Sequence, residues 1–235
     1  MNHLRLRRPL FGMSSNIATS APERHTSAAE HSRYRALSRT EAAHLFGPDG
    51  LREALARREW VELWPGVVVP GRCRNESTTR GAAALLRAGP AAVLSGLTAA
   101  ALHGCSTGTV PVTEVTIPYD RQLRSRSGLA VRQASIRESE VVELDGLRVH
   151  ALDVALAELL CGGPQRRALA CLEQALGRLP RASAEQLRGL VAERIDRRVD
   201  RRGTRRATAL LELARDPTVE RESLREPAER LSSPP

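Results

Sequence analysis

The chain has 235 residues, enough for one large domain or two small ones, and only 3% of them are aromatic, so its core must be built from small aliphatic side chains. It contains no run of about 18 apolar residues, which argues against a membrane-spanning helix. The formal net charge is +9, and every one of the 36 basic residues is arginine; this charge favours a polyanionic partner without identifying one.

The N-terminal segment MNHLRLRRPLFGMSSN has the arginine cluster of a signal peptide but lacks the apolar region that must follow it, so we expect a cytoplasmic protein. The four cysteines form no CxxC pair and have no histidine at ligand spacing, which predicts reduced thiols rather than a zinc site. A dinucleotide-binding glycine motif, a Walker loop and an HExxH motif are all missing. The sequence therefore predicts a protein that is not an enzyme and uses neither cofactor nor metal.

Taken in chain order, residues 1–33 are rich in Ser, Ala and Arg without a clear period, which predicts a disordered lead-in. Residues Ser38 to Glu41 have the form of a capping box, and the helix they open stops at Gly47. Apolar residues then recur at helical spacing over residues 51–58, which predicts a second helix.

An extended segment follows the second helix. Residues 60–64 alternate as a strand, Pro65 and Gly66 fit a turn, and residues 67–69 form the return strand of a hairpin. The order helix, turn, helix and hairpin over residues 34–72 predicts a winged helix-turn-helix.

Residues 73–216 mix both kinds of element. Helical patterns end at Ala88 and His103, strand patterns cover residues 112–118 and 129–135, and a basic loop at 121–127 separates the two strands. Asp145 and Gly146 predict another hairpin, and the chain is helical from Pro164 onward, with candidate helices at 164–178, 183–199 and 204–214. The charged, proline-ended composition of residues 217–235 predicts a disordered tail. The predicted fold class is α+β: an N-terminal winged helix-turn-helix, then a small mixed sheet with helices and a helical C-terminal region.

Four segments resemble AbiEi-type antitoxin-like proteins of bacteria: WVELWPGVVVPG, AAALLRAGPAAVLSGLTAAALHG, VTEVTIP and LDGLRVHALDVALAEL. The resemblance covers about residues 37–216. It implies a winged helix-turn-helix that binds DNA, or an antitoxin paired with a nucleotidyltransferase-type toxin. Many relatives continue into a nuclease domain related to the very-short-patch-repair enzyme, for which we expect no counterpart here. Many also carry a polar pair where this sequence has Gly96 and Leu97.

Matched to that family, residues 51–58 are the recognition helix and residues 60–69 the wing. The predicted DNA-binding residues are Arg52, Arg57, Arg58, Arg72 and Arg74. The recognition helix also carries acidic neighbours, which repel phosphates and predict a small non-specific affinity. The alternative is a solvated face on which acidic and basic side chains pair, as Glu53 and Arg57 would at i,i+4 spacing.

A second basic patch is possible on residues 193–206. Its members recur at helical spacing and are Arg194, Arg198, Arg201 and Arg205, interrupted by Gly203. The patch would bind nucleic acid or an acidic toxin; the alternative is a solvated helix end with local ion pairs.

We expect the histidines and tryptophans of this sequence to have structural rather than functional roles. His103 follows an alanine-rich face and is expected to be a hydrogen-bonded core residue at a helix end, while His44 and His150 are isolated. Trp60 and Trp64 are expected to anchor the wing rather than to stack on bases.

The predicted function is a DNA-binding antitoxin-like or autoregulatory transcriptional regulator of a bacterial toxin–antitoxin system. Its expected partners are double-stranded operator DNA and a cognate toxin, with no membrane partner; the sequence does not indicate an oligomeric state. Two alternatives stay open: a protein-binding antitoxin module that does not bind DNA, and a truncated relative of a restriction-endonuclease-like protein.

Overall fold

The computed structural model describes residues 36–105, 108 and 111–214. The predicted lead-in at 1–33 and the predicted tail at 217–235 lie outside these residues. Within the part that is described, no helix combines the length and the apolar character needed to cross a bilayer.

The N-terminal part is a three-stranded sheet with a broken helix. Strand β1 (Leu37–Ser38) leads into α1 (Arg39–Ala56), and β2 (Trp60–Trp64) and β3 (Val67–Pro70) form an antiparallel hairpin, with the sheet order β1-β3-β2. Helix α1 is interrupted at Gly47, whose φ of 73° and ψ of 157° are not helical, so two helices meet there at a sharp turn. The predicted order of helix, turn, helix and hairpin is present in this part of the chain.

The predicted capping box is present at the start of α1. The Ser38 hydroxyl accepts a hydrogen bond from the Glu41 amide at 3.1 Å, and the Glu41 carboxylate accepts one from the Ser38 amide at 2.7 Å. The predicted end of the second helix is wrong by two residues, because α1 ends at Ala56. Arg57 caps the helix, and Arg58 has a left-handed φ of 57° that turns the chain into β2.

A five-stranded mixed sheet follows, in the order β6-β5-β4-β8-β7. Its elements are α2 (Ser77–Ala88), β4 (Val93–Leu94), α3 (Gly96–Leu102), β5 (Thr113–Ile117), β6 (Leu129–Gln133), β7 (Val141–Leu144) and β8 (Leu147–His150). Strand β4 is antiparallel to β5 and parallel to β8, β5 is parallel to β6, and β7 is antiparallel to β8. The hairpin predicted at Asp145 and Gly146 is confirmed as the β7–β8 connection.

Four helices complete the described chain: α4 (Leu152–Gly162), α5 (Gln165–Gly177), α6 (Arg181–Asp196) and α7 (Thr204–Leu213). Leu156, Leu160 and Leu172 are fully buried in the apolar cluster that these helices share with α3. A second cluster lies between the mixed sheet and α2, whose buried alanines let the helix approach the strands closely. The fold class is therefore α+β, with a core that is almost entirely aliphatic.

Candidate nucleic-acid interface

The second helix of α1 presents two of the predicted DNA-binding arginines to solvent, and both are paired with acidic neighbours. Arg52 Nη2 lies 2.6 Å from Asp49 Oδ1, and Arg57 Nη2 lies 2.5 Å from Glu53 Oε1. All four side chains are more than half exposed. Exposed pairs of this kind contribute about 0–1 kcal/mol, so a phosphate can replace the carboxylate at little cost. The pairing lowers the net charge of the helix without immobilising either guanidinium.

The other three predicted residues have no such partner. Arg58, Arg72 and Arg74 are exposed, and no carboxylate of the described residues lies within ion-pairing distance of them. Arg58 and Arg72 line a groove of about 710 Å³, together with Phe46, Trp60 and the acidic Glu59. These three arginines therefore carry positive charge that no described carboxylate pairs with, next to the helix and the wing.

Glu62 in the wing has a structural role that the sequence did not show. Its carboxylate accepts one hydrogen bond from Arg39 Nη1 at 2.9 Å and another from the Gly66 amide at 2.7 Å. The side chain thus fixes the β2–β3 turn, and Arg39 offsets its charge. The repulsion between the Glu62 carboxylate and a phosphate near the wing is reduced accordingly.

The tryptophans anchor the wing, as predicted. Trp64 is only 4% exposed, and its Nε1 donates a hydrogen bond to the Ser127 carbonyl at 3.1 Å. The Arg80 guanidinium carbon lies 5.3 Å from the Trp64 ring centroid, within the range of a cation–π contact. The Trp60 ring lies 5.2 Å from that of Phe46. Trp64 is therefore too deeply buried to stack on a base.

The predicted second basic patch does not form a stripe on one helix, because α6 ends at Asp196 and α7 begins only at Thr204. Arg194 is tied inside the fold: its Nη1 lies 2.6 Å from Glu140 Oε1 and its Nε lies 2.8 Å from Asp153 Oδ2. Burial alone would lower the pKa of Arg194, but its bond to Asp153 and the surrounding carboxylates raise it overall. The two ion pairs of Arg194 thus link α6 to α4 and to the turn before β7.

The four members of that patch line two hollows, Arg194 and Arg198 one and Arg201 and Arg205 the other. Arg201 Nη1 donates to the Asp196 carbonyl at 2.7 Å, and Arg205 is exposed in the first turn of α7. Arg198 lines a cleft of about 300 Å³, together with Arg197 and Tyr119. Helical spacing suggested one surface, whereas the break between the two helices divides the four side chains into these two pairs.

A buried polar cluster lies at the start of α3, where sequence reasoning found only isolated residues. Glu158 Oε2 lies 3.3 Å from His150 Nδ1 and accepts the Gly96 amide at 3.4 Å, while Glu114 Oε1 accepts the Leu97 amide at 3.3 Å. Gly96 has a φ of +54°, which favours glycine, and a Cβ there would clash with Glu114 Oε2 and displace that carboxylate. Both carboxylates therefore accept hydrogen bonds from backbone amides of the same chain.

These two carboxylates differ in pKa. Burial, with a smaller effect of the charge of Glu158, raises the pKa of Glu114 above its ordinary value, against the opposing effects of the Leu97 amide and Arg132. Burial also acts to raise the pKa of Glu158, but the hydrogen bond and charge of His150, with smaller effects of Arg132 and the Gly96 amide, lower it overall.

The remaining histidine of interest is His103, whose Nε2 lies 2.8 Å from the His150 carbonyl oxygen. The predicted hydrogen-bonded histidine at a helix end is confirmed, although the side chain is half-buried rather than buried. In the described residues, no three His, Cys, Asp or Glu side chains are grouped so that they could hold a metal ion.

Comparison with protein-family models gives no match, and comparison with curated proteins gives none either. Among solved structures, the chain is similar to the crystal structure of the Rv2827c protein from Mycobacterium tuberculosis, with a TM-score of 0.53 and 16% sequence identity. The similarity covers 83% of this chain and 77% of that one. At this identity the similarity concerns the fold alone.

Proposed function

We propose that this chain is a DNA-binding regulator of the antitoxin-like type, which contacts duplex DNA through the second helix of α1 and the β2–β3 wing. One observation carries the proposal: the helix and the hairpin have the order and pairing of a winged helix-turn-helix, and their arginines are exposed. In such modules the second helix enters the major groove, while neighbouring side chains bind phosphates.

We assign these arginines different roles according to whether a carboxylate pairs with them. Arg52 and Arg57 lie on or at the end of the helix and are proposed to reach base edges or adjacent phosphates after exchanging their carboxylate partners. Arg58, Arg72 and Arg74 carry no compensating charge and are proposed as phosphate contacts. Each phosphate neutralised contributes about 0.9 to the slope of log K against log salt, so three such contacts predict a slope near −3.

The experiment is fluorescence anisotropy with a duplex from the gene's own promoter and with an unrelated duplex, both at low salt. We expect Arg57→Ala plus Arg58→Ala to weaken binding at least tenfold. The matched control is Arg166→Ala plus Arg167→Ala, which removes the same charge from exposed positions on α5. Equal losses in the two double variants, or no binding by the unmodified chain, would contradict the proposal.

A second candidate function is a protein-binding antitoxin module that uses residues 81–216. Tyr119 and Val199 favour it, since these large apolar side chains are 70% and 101% exposed and line the same cleft as Arg197 and Arg198. Co-expression with the product of the neighbouring reading frame tests this candidate. Co-purification that is lost on Tyr119→Ser plus Val199→Ser, with DNA binding unchanged, would support it.

A further inference from the structure

Positive side chains from three distant parts of the sequence lie around the tip of the wing. Arg39 comes from the start of α1, Arg87 from the last turn of α2, and Arg126 from the loop between β5 and β6. Arg39 is engaged with Glu62, as described above. Arg87 Nη1 donates to the carbonyl of Pro65, at the turn of the wing itself. The α/β domain therefore supplies cations to the edge of the winged module.

The loop that carries Arg126 is held firmly against the wing. Its carbonyls at Ser127 and Gly128 accept hydrogen bonds from Trp64 Nε1 at 3.1 Å and from Arg80 Nη2 at 2.8 Å. Arg126 and Leu129 exchange backbone hydrogen bonds at 2.9 and 3.0 Å. A binding loop that is already ordered loses little conformational entropy when it meets a partner.

Part of the positive charge in this region is not neutralised within the described structure. Arg124 and Arg126 are exposed, and no described carboxylate lies within ion-pairing distance of either. Burial lowers the pKa of Arg87, and the charge of Arg126 lowers it further, whereas Glu62 acts in the opposite direction. Two guanidinium groups that repel each other in this way are both stabilised by an anion placed near them.

We propose that Arg87, Arg124 and Arg126 form a phosphate-binding shelf beside the wing, which contacts the DNA backbone next to the position of the wing. The inference rests on the proposed function and extends it, because it gives the α/β domain a direct part in binding. Duplex DNA is favoured over an acidic protein because the shelf adjoins the wing, one of the two parts of a winged helix-turn-helix that face a duplex. Backbone contacts of this kind carry no sequence information.

The test uses the full chain with Arg124→Gln plus Arg126→Gln, since Arg87 also holds the wing turn. We expect affinity to fall by the same factor for the promoter duplex and for an unrelated duplex. The slope of log K against log salt should become shallower by roughly two, one for each lost phosphate contact. Hydroxyl-radical footprinting should show protection lost at one end of the site. Arg166→Gln plus Arg167→Gln is the matched control and should leave slope and footprint unchanged.

The possible outcomes separate the two proposals. If the unmodified chain binds and the loop variant keeps its slope and footprint, the shelf is disproved while the winged module stands. If the loop variant binds DNA normally but no longer co-purifies with the neighbouring gene's product, the shelf serves a protein and the inference fails. If the unmodified chain binds no duplex at any salt concentration, both proposals fall.

Discussion

Glu114 and Glu158 both accept a backbone amide at the start of α3, yet their pKa values shift in opposite directions. Glu114 loses hydration without gaining a close cation, so its neutral form is favoured in the folded chain. Glu158 is more deeply buried but receives the imidazole of His150, which favours its charged form. The hydrogen bond and charge of His150, rather than the depth of burial, therefore decide the direction in which the pKa of Glu158 shifts.

The two shifts predict opposite effects of pH on stability. The folded pKa of Glu114 is raised, so its contribution to stability is present below the ordinary pKa and is lost as pH rises through the folded value. The folded pKa of Glu158 is lowered, so its contribution is present above the ordinary pKa and is lost as pH falls through the folded value. Relative to the unmodified chain, Glu114→Gln should gain stability from about pH 4 to about pH 7, and Glu158→Gln should lose it.

Urea denaturation at both pH values measures the difference. Each variant replaces one carboxylate of the cluster by an amide of the same shape; because the charge of Glu158 also helps to raise the pKa of Glu114, Glu158→Gln removes that smaller effect as well. If both variants changed with pH in the same direction, the assignment of His150 as the group that sets the pKa of Glu158 would be wrong.

At the scale of an element, the break in α1 depends on Gly47. Its φ of 73° with a ψ of 157° lies in a region that is essentially limited to glycine. Beyond the neighbouring residues of the helix itself, no described atom lies within 4 Å of a Cβ built there, so the cost of a side chain comes from the backbone conformation.

We therefore expect Gly47→Ala to lower the free energy of unfolding by about 1–3 kcal/mol. The control is Gly50→Ala, in the same helix, where a Cβ would lie 3.6 Å from Phe46 Cβ in ordinary contact. Replacing this helical glycine should stabilise the protein by roughly 0.5–1 kcal/mol. Thermal and urea denaturation compare the two, and a Gly47→Ala variant as stable as Gly50→Ala would show that the break does not require glycine.

Elements of this kind were predictable because their signals are local. The capping box at Ser38, the stop at Gly47 and the turn at Asp145 are all encoded within a few residues. The pairing of His150 with Glu158 was not predictable, since it requires β8 and α4 to pack side by side. The position of Arg126 beside the wing depends on how β6 joins the sheet, more than 60 residues after β2. Local patterns predicted the helix and the wing but not the residues that surround them.

At the scale of the whole molecule, the winged module and the α/β domain share one apolar core. The predicted boundary at residues 72–73 falls in a short 3₁₀ helix, Gly71–Cys73, but Trp64, Val67 and Val69 pack in the same cluster as Val115 of β5. Arg80 strengthens this joint by contacting Trp64 and by donating hydrogen bonds to Thr113 Oγ1 at 3.1 Å and to the Gly128 carbonyl. A continuous core of this kind couples the two parts energetically.

The coupling predicts that the wing does not unfold by itself. The chain has two tryptophans, and both lie in β2, so tryptophan fluorescence reports on the wing, whereas far-ultraviolet circular dichroism reports mainly on helices α2 to α7. We expect the two signals to follow one urea transition with the same midpoint. Arg80→Met should lower that midpoint, because it removes the hydrogen bond to Thr113 Oγ1 and one of the two that the Gly128 carbonyl accepts, at a cost of about 1–3 kcal/mol. Arg74→Met, at an exposed neighbouring position, is the control and should leave it unchanged. A fluorescence transition that precedes the dichroism transition in the unmodified chain would show that the wing is an independent unit and that the shared core contributes little to holding it.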